Sequence, residues 1–187
     1  MVRNSSLFHR PRRYSGLAIF FHWLLAALII AGFCLGVYMH ELPFSPQRVK
    51  LFNYHKWLGV TILTLSAMRL LWRLSHQPPP LPDHSPDWQK AVAHLTHALL
   101  YVLFFAVPLS GWAYSSAAGF PIVYLGVIPL PDFVDKSKEL AETLKSTHAL
   151  LAQGLGLVVL LHVAAAFKHQ WLNKDGLMNR MLPWSRG

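Results

Sequence analysis

Ser146-Thr-His148-Ala-Leu-Leu-Ala-Gln-Gly-Leu-Gly-Leu-Val-Val-Leu-Leu-His162-Val-Ala-Ala-Ala-Phe167 is an apolar run long enough to cross a bilayer, and it carries an imidazole near each end. An ionisable side chain inside such a run is costly and marks a functional position by default. The two histidines are fourteen residues apart. At about 100 degrees per residue, fourteen steps fall only about 40 degrees short of four full turns, so both rings leave nearly the same helix face with about 21 Å of axis between them. One ring therefore lies near each membrane surface.

Working outward, three more runs have the composition and length to cross: Leu17 to about Tyr38, about Tyr54 to Leu74, and about Val92 to Tyr114. The whole chain agrees with them. Of 187 residues, 53% are apolar or aromatic and only 13% are charged, against about 25% charged in a soluble domain. Mean hydropathy is positive. Disorder, a collagen-like fibre and a disulfide scaffold are excluded, and the lone Cys34 rules out a four-thiolate metal site and a C-x-x-C-H attachment. Residues 1–187 read as a single all-α membrane domain, an integral four-helix bundle with spans at about 17–38, 54–74, 92–114 and 146–167.

The net charge of +9 invites a nucleic-acid reading, but the basic residues lie between the apolar runs and not along one helix face. They report topology. With the N-terminus inside, the inner side holds eleven (Arg3, Arg10, Arg12, Arg13, Arg69, Arg73, Lys90, Lys168, Lys174, Arg180 and Arg186) and the outer side six (Arg48, Lys50, Lys56, Lys136, Lys138 and Lys145). The excess predicts both termini in the cytoplasm, with membrane lipid as a partner and no nucleic acid. Arg12-Arg13 before an apolar run also matches the start of a cleavable signal, although the run is long for one and has no small-x-small site. Gln77-Pro-Pro-Pro-Leu-Pro82 is a stiff break between the second and third spans. The longest loop, Ser115 to about Lys145, carries Gly119, Pro121, Pro129 and Pro131 and ends in a charged helical pattern, Asp135 to Lys145, that extends the fourth span outward.

Eleven histidines are unusual for this length, and their depths sort them. His22 lies in the first turns of span one, at inner depth with His162. His55 opens span two, at outer depth with His148. Two cross-helix pairs follow, His22 with His162 and His55 with His148. Two imidazoles facing each other at one depth can hold a flat macrocycle and ligate its iron axially, with no covalent attachment. Small residues recur a turn away, at Ala18 and Ala26 around His22, Gly59 after His55, Ala152 after His148, and Ala165 and Ala166 after His162. His94 and His97 at the inner start of span three compete as inner ligands or as a quinone contact, and His40 competes with His55. His169, two turns beyond His162, is near the surface, and His9, His76 and His84 read as solvated loop residues.

Arg69 follows His55 by fourteen residues, which puts it on the same face at inner depth, with Arg73 one turn further. Its guanidinium suits the propionates of an inner haem or a quinone oxygen, the alternative being an inner-edge arginine that snorkels. Gly32-x-x-x-Gly36 matches a helix-packing pair. The eight carboxylates all lie in loops or at helix ends, so neither a Ser/His/Asp site nor a Gly-rich phosphate loop is present.

Tyr14-Ser15 seven residues before His22-Trp23, Arg69-Leu-Leu-Trp-Arg73, the proline cluster, His94-x-x-His97-Ala-Leu-Leu-Tyr101, the His148/His162 spacing, and Lys174-Asp175 with Arg180-Met181 together resemble the bacterial cytochrome b561 family over nearly the whole chain. The resemblance implies a multi-pass protein of the bacterial inner membrane with two b haems, ligated by the residues matching His22, His55, His148 and His162. It also implies electron exchange with the quinone pool and, in one branch, oxidation of superoxide at the outer face. The expected function is transfer of electrons from an outer (periplasmic) reductant to a quinone such as ubiquinone, the donor being a small redox molecule or a partner redox protein. A haem-b anchor relaying electrons for a dehydrogenase or hydrogenase subunit is the second reading. A divalent-metal transporter is the third, disfavoured by the lack of intramembrane carboxylates. Outer Arg48, Lys50 and Lys56 suit attraction of an anion.

Overall fold

The computed structural model describes residues 13–81 and 85–185. The readings of Arg3, His9, Arg10, Arg12, Pro82, His84 and Arg186 fall outside the described residues. Four long helices carry the chain: α1 (Gly16–Glu41), α2 (Pro46–Ser75), α3 (Asp87–Ala117) and α4 (Lys138–Phe167). Each contains one expected span and extends past it, because the caps sit in polar sequence outside the apolar runs. Ser15, Ser45 and Ser137 each accept a hydrogen bond from the backbone N–H three residues on, and Pro46 follows its cap at the position where a missing N–H does no harm. The charged stretch after Asp135 does extend the fourth helix, from Lys138 onward.

A hairpin of two short strands, β1 (Val123–Tyr124) and β2 (Ile128–Pro129), pairs Val123 with Pro129 and Tyr124 with Ile128 between α3 and α4. It lies along the first turns of α2. The Trp57 indole donates to the Val123 carbonyl at 2.6 Å, and the Tyr124 and Thr61 hydroxyls are 2.9 Å apart. Its turn uses Gly126 at φ +77°, a conformation that favours glycine. Beyond α4 the chain makes a π-helical turn, Lys168–Asn173, and a short 3₁₀ turn, Met178–Arg180, then folds back onto α1. Trp23 Nε1 donates to the Met181 carbonyl at 2.8 Å, and Arg13 to the carbonyls of Leu182 and Pro183.

The helices pack in chain order, α1 on α2, α2 on α3 and α3 on α4, with no comparable seam between α1 and α4. Leu25, Ile29, Leu100, Leu103, Phe104 and Leu155 form the buried core. In sequence these lie between the two histidine depths, so the apolar plug separates the two ends of the bundle. Outward-facing leucines are largely bare, as at Leu71 (67% exposed), Leu150 (70%) and Leu160 (69%), the pattern of a bundle whose outer solvent is lipid. Gly32 and Gly36 do face α2, against Leu58 and His55.

Four spans put both ends of the described chain on one membrane face and the hairpin on the other. In a Cys34→Ala background, an impermeant maleimide applied to one side of sealed vesicles should label either Ser185→Cys or Val127→Cys but not both. Labelling of both from the same side would refute the fourfold crossing.

Candidate functional site

The two expected histidine pairs meet inside the bundle. The His22 and His162 ring centres are 6.2 Å apart, and those of His55 and His148 are 6.1 Å apart. A metal ion shared by two imidazoles, at about 2.0 Å from each ligating nitrogen with each nitrogen about 1.1 Å from its ring centre, places the centres a little over 6 Å apart. Both pairs match that span. The His22/His162 pair bridges the line between α1 and α4 where the helices form no close seam, which is where a flat group needs room.

The facing helices supply the space. A Cβ on Gly111 would stand 2.9 Å from Cε1 of His148, and one on Gly36 would stand 3.3 Å from Cε1 of His55. Gly111 was not singled out in the sequence and Gly36 only as half of a helix-packing pair, whereas Gly59 and the alanines on the ligands' own helices were. Gly59 instead faces Pro108. An imidazole projects away from its own helix, so the residue that must be small is on the neighbour, and a one-helix pattern does not locate it.

What stands behind each ring differs between the pairs. His148 Nδ1 donates to the Val107 carbonyl at 2.9 Å, and the Ser110 hydroxyl, which also donates to that carbonyl, is 3.1 Å from the same nitrogen. This arrangement fixes the tautomer that leaves Nε2 free for a metal. Nδ1 of His55 is buried without a partner among the described residues. His22 Nδ1 instead faces a cation, a guanidinium nitrogen of Arg69 standing 3.2 Å from it. Arg69 therefore stands at the His22/His162 pair, at the depth the fourteen-residue step predicts. The donor set and the spacing fit a haem at each pair.

The competitors separate cleanly. His97 lies beside the His22/His162 pair, its ring centre 5.6 Å from that of His162. His94, one turn earlier, is exposed. His40 sits at the end of α1, exposed and 3.3 Å from Glu41, and so does not compete with His55. His169 donates to Asp175. Burial works to raise the Asp175 carboxyl, but the Leu177 N–H and the His169 ring hold it below the usual range. His76 is exposed as expected, yet its ring stacks on Trp72 at 3.6 Å and caps α2. Lys56 is already engaged, donating to the carbonyls of Phe120 and Pro121 at 3.2 and 3.3 Å, and so is less available to steer an anion than its position in the sequence suggests. Among the described residues no group of three or more His, Cys, Asp or Glu is placed to hold a bare metal ion.

Four apolar helices with imidazoles facing one another inside the bundle are the frame of a membrane cytochrome. The chain matches the family described as Prokaryotic cytochrome b561 over residues 13–184, and it belongs to that family. It is 33% identical to "Cytochrome b561 homolog 2" of Escherichia coli strain K12, covering 95% of each chain. It is 32% identical to "Probable superoxide oxidase CybB" of Yersinia pestis over 94% of this chain and 99% of that one, and 27% identical to "Cytochrome b561 homolog 1" of Escherichia coli over 91% and 97%. The protein is thus a multi-pass protein of the bacterial inner membrane with a cytochrome b role in electron transfer, and the family implies haem b.

Gly111→Ala should force the His148 ring out of place, since overpacking by one methyl group against a fixed neighbour costs about 1 to 3 kcal/mol. The expected result is partial loss of haem absorbance. Full occupancy with unchanged spectra would show that His148 has room to spare and that Gly111 is not required.

Proposed function

We propose that the chain carries two b haems, one held by His22 and His162 and one by His55 and His148, and moves electrons from a reductant at the hairpin face to quinone. The observation that carries this reading is the pair of matched imidazole separations, 6.2 and 6.1 Å, at two depths of one apolar bundle. Bound there, haem supplies reversible one-electron chemistry that no side chain of this protein offers. The protein's part is to orient the imidazoles, keep water from the middle of the bundle with the Leu25–Phe104–Leu155 plug, and set the charge behind each ring.

The direction follows from what backs the ligands. A carbonyl accepting from His148 makes that imidazole a stronger donor and favours the oxidised state at the outer pair, whereas the Arg69 cation at His22 favours the reduced state at the inner pair. Electrons then run downhill from the hairpin end toward the end bearing the termini, which the excess of Lys and Arg puts in the cytoplasm. Superoxide is the proposed donor, on the strength of the relative named a probable superoxide oxidase. The balance is complete: two superoxide anions give two electrons and two O₂, and one quinone takes the two electrons and two protons. The second reading, a haem-b anchor for a separate redox subunit, requires no turnover by the isolated chain.

A reduced spectrum of the purified protein should show sharp low-spin b bands, and a pyridine assay should count two haems per chain. His22→Ala or His162→Ala should remove one haem, and His55→Ala or His148→Ala the other. Loss of the same haem from His22→Ala and His148→Ala would overturn the pairing. Superoxide-driven reduction of a soluble quinone by the isolated chain would exclude the anchor as its sole role.

Arg69→Gln should lower the potential of the inner haem, because a cation stabilises the state with one less positive charge. At an effective dielectric of about 20, a unit charge about 8 Å from a redox centre contributes about 2 kcal/mol, an upper-end figure where other anions compensate. The outer haem should move far less, and Arg69→Lys should recover part of the shift. A redox titration that resolves the two haems checks this, and equal shifts in both would refute it.

A further inference from the structure

On the face that bears the ends of the described chain, a cavity of about 630 Å³ opens between the start of α1, the end of α2 and the Pro78–Pro80 strip. Three guanidiniums line it, those of Arg13, Arg69 and Arg73. A fourth stands at its edge, where Arg180 Nη1 donates to the Pro80 carbonyl at 2.6 Å. Among the described residues no carboxylate lines the space. None of the four proposed ligand histidines lines it either, so it lies beside the haem gap and not within it.

The arginines are drawn together at a cost. Arg69 and Arg73 are one turn apart on α2, where like charges repel, and both sit over the Tyr101 ring, at 5.7 and 5.4 Å. Their donors are only partly used. Arg69 has a nitrogen 3.2 Å from His22 Nδ1, and among the described residues Arg73 has no hydrogen bond and Nε of both Arg13 and Arg180 is buried without a partner. Half-buried cations with spare donors and no carboxylate of the described residues beside them call for an anion rich in oxygen. A neutral quinone offers two acceptors but no charge to offset the cluster.

We propose that this cavity binds the phosphate headgroup of an anionic phospholipid from the adjacent leaflet. Its walls favour a lipid over a soluble anion. Trp72, Tyr14 and Tyr101 are aromatic side chains of the kind that settle at the membrane interface. The α2 surface next to Trp72 and Arg73 continues into bare apolar side chains, Leu71 at 67% and Leu74 at 73% exposure, along which acyl chains can lie. Basic pockets between helices near a membrane surface are suited to anionic headgroups.

The test uses the full-length haem-loaded protein in mild detergent, with phosphatidylglycerol, phosphatidylcholine and inorganic phosphate as probes. Native mass spectrometry should find phosphatidylglycerol retained in preference to phosphatidylcholine, and added phosphatidylglycerol alone should raise the unfolding temperature. Arg73→Gln should weaken that binding about fivefold, Arg13→Gln/Arg73→Gln more, and Arg73→Lys least. The haem spectrum of each variant reports that the bundle is intact, and Arg73→Lys serves if the double variant does not fold. Equal effects of the two lipids, an equal effect of millimolar phosphate, or unchanged binding in Arg73→Gln would overturn the proposal. So would loss of haem or a shifted inner potential in Arg73→Gln with lipid binding intact, which would assign the cluster to the haem carboxylates.

Discussion

An imidazole inside a hydrocarbon slab loses its water and needs a partner to replace it. This protein places several imidazoles there and brings four of them together as two facing pairs at the separation of a shared metal ion. Most other features of the bundle serve that arrangement. The pairs lie at two levels of the long helices, α1 and α4 form no close seam, and Gly36 and Gly111 stand where the His55 and His148 rings lie against them. The core is confined to the space between the pairs, where nothing polar has to be accommodated.

The two ends are alike in ligand chemistry and unlike in what surrounds it. The hairpin end backs His148 with a backbone carbonyl and a serine hydroxyl, and the β1–β2 hairpin is tied by Trp57 and Tyr124 to the turns of α2 next to His55. The terminal end backs His22 with Arg69 and gathers further arginines around Tyr14 and Tyr101. Burial raises the Tyr14 phenol even though Arg73, Arg180 and Arg69 pull it down, so this hydroxyl stays protonated and available as a donor. Fixed charge and dipoles thus distinguish the surroundings of two otherwise similar histidine pairs.

The returning C-terminal segment belongs to the same electrostatic design. Its carbonyls at Met181, Leu182 and Pro183 accept from Trp23 and Arg13, and its Arg180 side chain reaches the Pro80 carbonyl. Backbone acceptors thereby hold cationic side chains at the membrane surface without neutralising them. Asp175 is spent on His169 and on the Leu177 N–H and leaves the arginine cluster its charge.

The four long apolar helices and the levels of His22, His55, His148, His162 and Arg69 along them were legible in the amino-acid sequence. Each depends on only two local quantities, the apolar length a bilayer demands and the rotation per residue of a helix. The helix ends ran further than the apolar runs because caps are chosen by serine and proline outside them. Other features were decided only by the tertiary structure: the approach of each histidine to its partner, the glycines opposite the rings, the engagement of Lys56 by loop carbonyls, the removal of His40 from contention, the position of His97 beside His162, and the cavity that Arg13, Arg69 and Arg73 share. All of these join residues tens of positions apart on different helices. Periodicity along one helix fixes where a side chain points, but the distance to what it meets depends on how the helices pack.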